Sequence, residues 1–245
     1  MIYFYHIRKT GGRSFVRGYL SQFARPLAEL WGMCHSGKGP IHNINEHIKV
    51  ASWCLRPEPV DFAWSHGTIQ SVQLPHNMDV YTVTILRDPV ARFVSMYRNI
   101  LRTWGHNQLT FEFKPYINDD IAKMARILPL NKRFEILTTF SPTQNLDEAL
   151  ENLFGLSYFL RIENYAQDLE MFNLLTGLSV PVYHFRETRN DEGINKEMHK
   201  RLSHKVLKEL VEIFEPEYAF LNYVGYERPT DFAIVAGRIK EVFYE

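Results

Sequence analysis

Short runs of β-branched and aromatic residues recur along the chain and predict a series of strands. The predicted strands are Ile2–Ile7, Val60–Trp64, Val80–Leu86, Tyr158–Ile162 and a last short one at Val180–His184. Val80–Leu86 is β-branched almost throughout, which is typical of a strand buried on both faces of a parallel sheet.

Between these runs, apolar residues recur with the spacing of amphipathic helices. The predicted helices are Gly12–Leu20, one from Pro89 to about Trp104, Tyr165–Leu175, Lys205–Leu221 despite Pro216, and a short one near Ile44–Trp53. Residues 110–155 also carry helical patterns, broken by three prolines. Alternating strands and helices favour an α/β fold with a P-loop-like central parallel β-sheet flanked by helices in a single domain. We expect this domain to span residues 1–228, with 229–245 a C-terminal tail or a helix packed on it.

Composition narrows the function classes. The 245 residues carry 28 Lys and Arg against 28 Asp and Glu, and this balance argues against a nucleic-acid partner. Two cysteines are too few for a disulfide scaffold or a four-cysteine zinc site, and no metal-ligand spacing is present, so we predict no metal. No run approaches the ~18 apolar residues of a membrane span. We expect a cytoplasmic protein if the chain is native and full-length, and otherwise a soluble catalytic domain trimmed of an anchor.

The segment after the first predicted strand has the composition of an anion-binding corner. It runs His6-Ile7-Arg8-Lys9-Thr10-Gly11-Gly12-Arg13-Ser14 and leads into a predicted helix. A lysine, hydroxyl groups and free backbone N–H groups at a helix N-terminus suit a phosphate. The lysine precedes the glycines, so this is not the usual nucleoside-triphosphate loop.

A second such corner follows Val80–Leu86. Arg87 lies at the strand end, and Asp88 and Pro89 are typical of an N-cap and a first helical position. The spacing places Arg92 and Ser95 near one side of the following helix. An arginine fork with a hydroxyl suits a phosphate monoester. Two anion corners therefore predict one ligand with phosphate groups at both ends.

These two motifs, in this order, resemble those of sulfotransferases that use 3′-phosphoadenosine 5′-phosphosulfate (PAPS). The likeness is closest to the carbohydrate branch, which includes the heparan sulfate 2-O- and 6-O-sulfotransferases. It implies that the first motif binds the 5′-phosphosulfate and the second the 3′-phosphate, with 3′-phosphoadenosine 5′-phosphate (PAP) as product and a hydroxyl, expected on a glycan, as acceptor. The donor-binding residues implied are Arg8, Lys9, Thr10, Gly11, Gly12, Arg13, Ser14, Arg87 and Ser95. Arg8 and Arg13 stand where this family commonly has proline and threonine. They could bind the donor, contact an acidic acceptor or be solvated side chains at the start of a helix.

Two catalytic residues are predicted. Lys9 would stabilise charge on the leaving phosphate, and His66, after a predicted strand, would be the general base, since an imidazole titrates in the useful range. Glu46, His42 and His35 are other candidates for the base. The polar loop 184–190 could close over the donor, meet the acceptor or be an ordinary solvated loop.

Two other functions stay open from the sequence. A kinase with an atypical phosphate loop would need a Mg²⁺-holding carboxylate and another lysine placement. The loss of Lys9 or Arg87 would have favoured a non-catalytic module that binds PAPS or a sulfated glycan, but both residues are present.

Overall fold

The structure is a computed structural model that describes residues 2–21, 62–72, 74, 79–102, 112–183 and 192–244. The predicted helix near Ile44–Trp53, the base candidates Glu46, His42 and His35, and the loop 184–190 lie outside the described residues.

A parallel sheet of four strands organises the described chain. The strands are β1 (Ile2–Tyr5), β2 (Phe62–Ser65), β3 (Tyr81–Leu86) and β4 (Tyr158–Arg161), in the spatial order β2-β1-β3-β4. The bounds of each strand differ by at most two residues from those of a predicted strand. The prediction of an α/β fold on a central parallel sheet is confirmed.

Helices fill most of the remaining described chain. In chain order they are α1 (Gly12–Leu20), α2 (Pro89–Arg102), α3 (Ile121–Ile127), α4 (Leu130–Arg133), α5 (Glu135–Phe140), α6 (Leu146–Phe154), α7 (Tyr165–Thr176), α8 (Glu192–Arg201), α9 (His204–Ile213), α10 (Glu215–Leu221) and α11 (Phe232–Tyr244). None of the helices in the described ranges is both long enough and apolar enough to cross a membrane.

Two predicted elements differ in the structure. The predicted strand Val180–His184 is irregular over its described residues 180–183. At Val180, the Asn173 side chain takes the backbone hydrogen bonds that a strand neighbour would take. Its amide donates to the Val180 carbonyl at 2.8 Å, and its oxygen accepts from the Val180 N–H at 3.0 Å. The predicted helix Lys205–Leu221 is two helices, α9 and α10, since Pro216 fits only the first turn of a helix.

The chain divides into two compact units. The first holds residues 1–86 and 138–185, and therefore the whole sheet. On one sheet face, Phe4, Val83 and Leu160 pack in one apolar cluster with residues of α1 and α7, whereas Tyr3 and Tyr5 point to the opposite face, as strand alternation requires. The core of this unit is thus built on the sheet.

The second unit holds residues 87–137 and 186–245 and is helical where it is described. Phe214, at the junction of α9 and α10, lies 5.2 Å from the ring of Phe93 on α2 and 6.0 Å from that of Phe134. The predicted tail from 229 contains α11, whose Val235 and Ile239 are buried. The predicted domain boundary at 228 stays a prediction.

Candidate active site

The segment between β1 and α1 forms the first anion corner. Its backbone turns through left-handed conformations at Lys9, with φ 66°, and at Gly11, with φ 83°. Gly11 is the N-cap of α1 and offers no side-chain hydrogen bond. The buried hydroxyl of Thr10 instead donates to the Ile7 carbonyl at 2.8 Å and ties the loop together. The corner is therefore shaped by its backbone.

Both glycines of this corner lie too close to neighbours to carry a side chain. A Cβ on Gly11 would come within 2.3 Å of Ile162 Cδ1, and a Cβ on Gly12 within 2.2 Å of His6 Cδ2. This close approach explains why two successive glycines stand here.

The charged and hydroxyl side chains of the corner differ in exposure. Arg8, Lys9 and Ser14 are partly buried, and Arg13 is exposed. The predicted donor-binding residues before β2 thus lie together on the loop and first turn that join β1 to α1.

His66 lies beside this corner because of the strand register. β1 and β2 pair in parallel with Tyr5 opposite Ser65, so the residues that follow, His6 and His66, leave the sheet side by side. Their rings lie 4.5 Å apart between centroids, and the ring of buried Trp64 lies 5.6 Å from that of His66. His66 itself is exposed.

One hydrogen bond sets the tautomer of His66. Its Nδ1 lies 2.5 Å from the His6 carbonyl oxygen. A carbonyl oxygen can only accept, so Nδ1 carries the hydrogen, and in the neutral ring Nε2 then has the lone pair.

The second anion corner follows β3 and opens α2. Arg87 is buried, and Asp88 Oδ1 accepts from the Ala91 N–H at 2.9 Å, so Asp88 caps the helix as predicted. Ser95 lies two turns into α2 and is also buried.

The other oxygen of Asp88 has two donors from later helices. Asp88 Oδ2 accepts from the Tyr218 hydroxyl at 2.9 Å and from Arg238 Nη1 at 2.6 Å. Burial, and next to it the Asp88 charge, raise the pKa of Tyr218, so its phenol stays a donor at neutral pH. Neither donor is predictable from the sequence, because Tyr218 and Arg238 lie 130 and 150 positions after Asp88 and no spacing signal connects them to it.

Arg92 differs from its predicted orientation. Its side chain is 0% exposed, with Nη1 bonded to Glu135 Oε2 at 3.1 Å and Nη2 to the Arg133 carbonyl at 2.8 Å. Glu217 Oε2 lies 3.8 Å from Nη2. Arg92 therefore binds the protein's own acceptors and is not the fork that faces a phosphate.

Glu217 is the buried counterpart of this arginine. Its Oε1 accepts from the backbone N–H groups of Ile136, at 2.7 Å, and Leu137, at 3.2 Å, in the first turn of α5. Burial raises the pKa of Glu217 to about 7, against the opposing effects of Arg92 and these two N–H groups. Within the described ranges, no three His, Cys, Asp or Glu side chains group as a metal site would require.

The packing of Gly12 gives a first prediction. In Gly12→Ala, the new methyl group must displace the His6 ring, which is the neighbour of the His66 ring. We expect a loss of about 1–3 kcal/mol in the free energy of unfolding, measured by urea denaturation. Gly193→Ala in α8 is the matched control, since a Cβ there meets nothing within 4 Å. A Gly12→Ala variant as stable as the control would contradict the packing argument.

The Glu217 carboxyl gives a second prediction, on pH. Its pKa is about 7 when folded against 4.5 as a free side chain, so between these values the native state holds a proton that the unfolded chain has lost. The unfolding free energy therefore falls as pH rises through this window, by a contribution of order 3 kcal/mol. In Glu217→Gln this contribution disappears, which urea denaturation at pH 5 and pH 8 would measure. Glu212→Gln, at an exposed position, is the control. If the unfolding free energy of wild type and of Glu217→Gln changed equally with pH, the raised pKa of Glu217 would be refuted.

Comparison with known proteins gives the family. The model of the Sulfotransferase family matches residues 1–224. One solved structure that matches is the crystal structure of a sulfotransferase from Alicyclobacillus acidocaldarius, at 12% identity and a TM-score of 0.45, with 92% of this chain and 95% of that chain covered. No curated protein matches the chain. Because the family match spans both anion corners and most of the chain, this protein belongs to the sulfotransferase family and is a transferase enzyme.

Proposed function

We propose that this enzyme moves a sulfuryl group from PAPS to an acceptor hydroxyl and releases PAP. Family membership supports sulfuryl transfer in general. Two anion corners support PAPS as the donor: one follows β1 and the other follows β3, and these two strands pair in one sheet. PAPS has a phosphosulfate at one end and a 3′-phosphate at the other, so each corner would bind one anionic group of the same ligand.

The tautomer of His66 carries this proposal. Its Nδ1 donates to the His6 carbonyl, so the neutral ring would take the acceptor's proton at Nε2. As the acceptor oxygen bonds to sulfur, the bond from sulfur to the bridging 5′-phosphate oxygen breaks. The electron pair of that bond stays on PAP, and the acceptor's proton passes to Nε2. An exposed ring suits an acceptor that arrives from solution.

The first corner would hold the 5′ end of the donor. Lys9, partly buried on a left-handed turn, would stabilise the charge that develops on the leaving phosphate. N–H groups at the start of α1 and the Ser14 hydroxyl would bind the phosphosulfate. The hydroxyl of Thr10 donates to Ile7, so its N–H is the donor we assign to the ligand. Arg8 and Arg13 would add positive charge for either donor or acceptor.

The second corner would hold the 3′-phosphate through Arg87 and Ser95. Both are buried, which strengthens a charge-assisted hydrogen bond once a phosphate reaches them. We place the sulfotransferase domain at residues 1–228 and expect the acceptor hydroxyl on a glycan. Mass spectrometry of products from PAPS and a panel of glycan, phenol and alcohol acceptors identifies that acceptor.

The donor assignment predicts a selective thermal shift. At a concentration of about 100 times Kd, PAP should add roughly 2.7 kcal/mol to the unfolding free energy and raise Tm, whereas ATP with Mg²⁺ should stabilise much less. Stabilisation by ATP–Mg²⁺ alone would instead favour a kinase. Binding of PAP without transfer to any acceptor would favour a non-catalytic module.

The base assignment predicts a separation of binding from turnover. In His66→Asn, a side-chain amide can still donate to the His6 carbonyl but cannot take a proton, so kcat should fall by roughly 10²–10⁴ while the Kd for PAP stays near wild type. His199→Ala, an exposed histidine on α8, is the control for histidine loss. Near wild-type turnover in His66→Asn would remove His66 from the role.

A further inference from the structure

The geometry points to Arg238, on the C-terminal helix α11, as a positioning residue for the second anion corner. This inference rests on the proposed binding of the donor's 3′-phosphate at Arg87 and Ser95. It gives a function to a helix that begins at Phe232, beyond the family match at residues 1–224.

The contacts of Asp88 carry the inference. Its side chain is 0% exposed, and its two oxygens are used differently. Oδ1 caps α2 through the Ala91 N–H, and Oδ2 accepts from Tyr218 at 2.9 Å and Arg238 Nη1 at 2.6 Å. Asp88 is thus held in its capping position from α10 and α11 together.

The contact with Arg238 compensates the negative charge of Asp88. The N-terminus of α2 attracts anions, and the Asp88 carboxylate is already one. A phosphate on neighbouring Arg87 would meet that negative charge in a buried setting, where repulsion is poorly screened. Tyr218 is neutral and cannot compensate the charge, but Arg238 can. Arg238 therefore makes a carboxylate cap compatible with a second anion at the same helix end.

The sequence of α11 places Arg238 for this contact. Val235 and Ile239 lie three positions before and one after it, and both are buried, which fixes the face that α11 turns inward. Arg238 lies on the edge of that face with its side chain 25% exposed. Its stem can follow the apolar surface while the guanidinium reaches Asp88.

The test compares two nucleotides that differ at one phosphate. Kd values for PAP and for adenosine 5′-phosphate, which lacks the 3′-phosphate, are measured by isothermal titration calorimetry. In Arg238→Met we expect PAP to bind about tenfold more weakly and adenosine 5′-phosphate to bind as in wild type. A merely structural role would weaken both nucleotides equally or neither.

Further variants keep the test decisive. Arg126→Met removes an exposed arginine that pairs with Glu209 at 2.9 Å in the same unit, and both Kd values should stay at wild type. Asp88→Asn keeps a capping side chain without its charge, so Arg238→Met should lose much less PAP affinity in that background. Tyr218→Phe removes only a neutral hydroxyl and should weaken PAP less than loss of the Arg238 charge does. If Arg238→Met does not fold, Arg238→Gln takes its place, because it keeps a donor for Asp88 without the charge; an equal loss for both nucleotides in that variant would overturn the inference.

The outcomes separate this inference from the proposed function. If wild type binds PAP and Arg238→Met binds it equally well, the role of Arg238 is overturned and the donor assignment stands. If wild type binds neither nucleotide, the donor assignment falls and the inference falls with it. A selective loss of PAP affinity that the Asp88→Asn background suppresses supports both.

Discussion

Parallel pairing of β1 between β2 and β3 is the constraint on which the first unit depends. Its register sets Tyr5 opposite both Ser65 and Thr84, so the residues after β1 and β2 leave the sheet at one edge. A slip of one residue would turn buried Phe4 to the opposite face, and that loss of apolar packing holds the register in place. The position of His66 beside His6 is thus a consequence of the core.

The two anion corners are built on different physical principles. The first uses backbone conformation: Lys9 and Gly11 adopt left-handed angles, and the lysine does so at a cost of about 1–3 kcal/mol that the surrounding contacts offset. The second uses a side-chain cap, Asp88, inside a set of hydrogen bonds. The first corner is therefore sensitive to added volume, and the second to altered charge.

The sequence predicted what is encoded locally. Strand runs and the Asp88-Pro89 helix start follow from neighbouring residues, and the structure agrees with them. The strand predicted from Val180 is not formed, and the side chain of Asn173, seven positions away, takes the backbone hydrogen bonds of Val180. Arg92 was predicted from helix spacing to face a ligand, but spacing alone does not tell which face of α2 is covered. Its acceptors come from positions 41 or more residues away, and no local pattern reports them.

The charged side chains at the start of α2 can be buried because each of them makes several hydrogen bonds or ion pairs. Asp88 and Arg92 lie one helical turn apart. Two successive residues of α10 contact them: Tyr218 bonds to Asp88, and Glu217 lies beside Arg92. Asp88 accepts from three donors, a number that can offset the loss of hydration. For Glu217, burial still outweighs its partners and raises its pKa to about 7. Its protonation need not free Arg92, which keeps Glu135 and the Arg133 carbonyl in either state. A change of pH near neutrality should therefore alter the stability of this unit more than the orientation of α2.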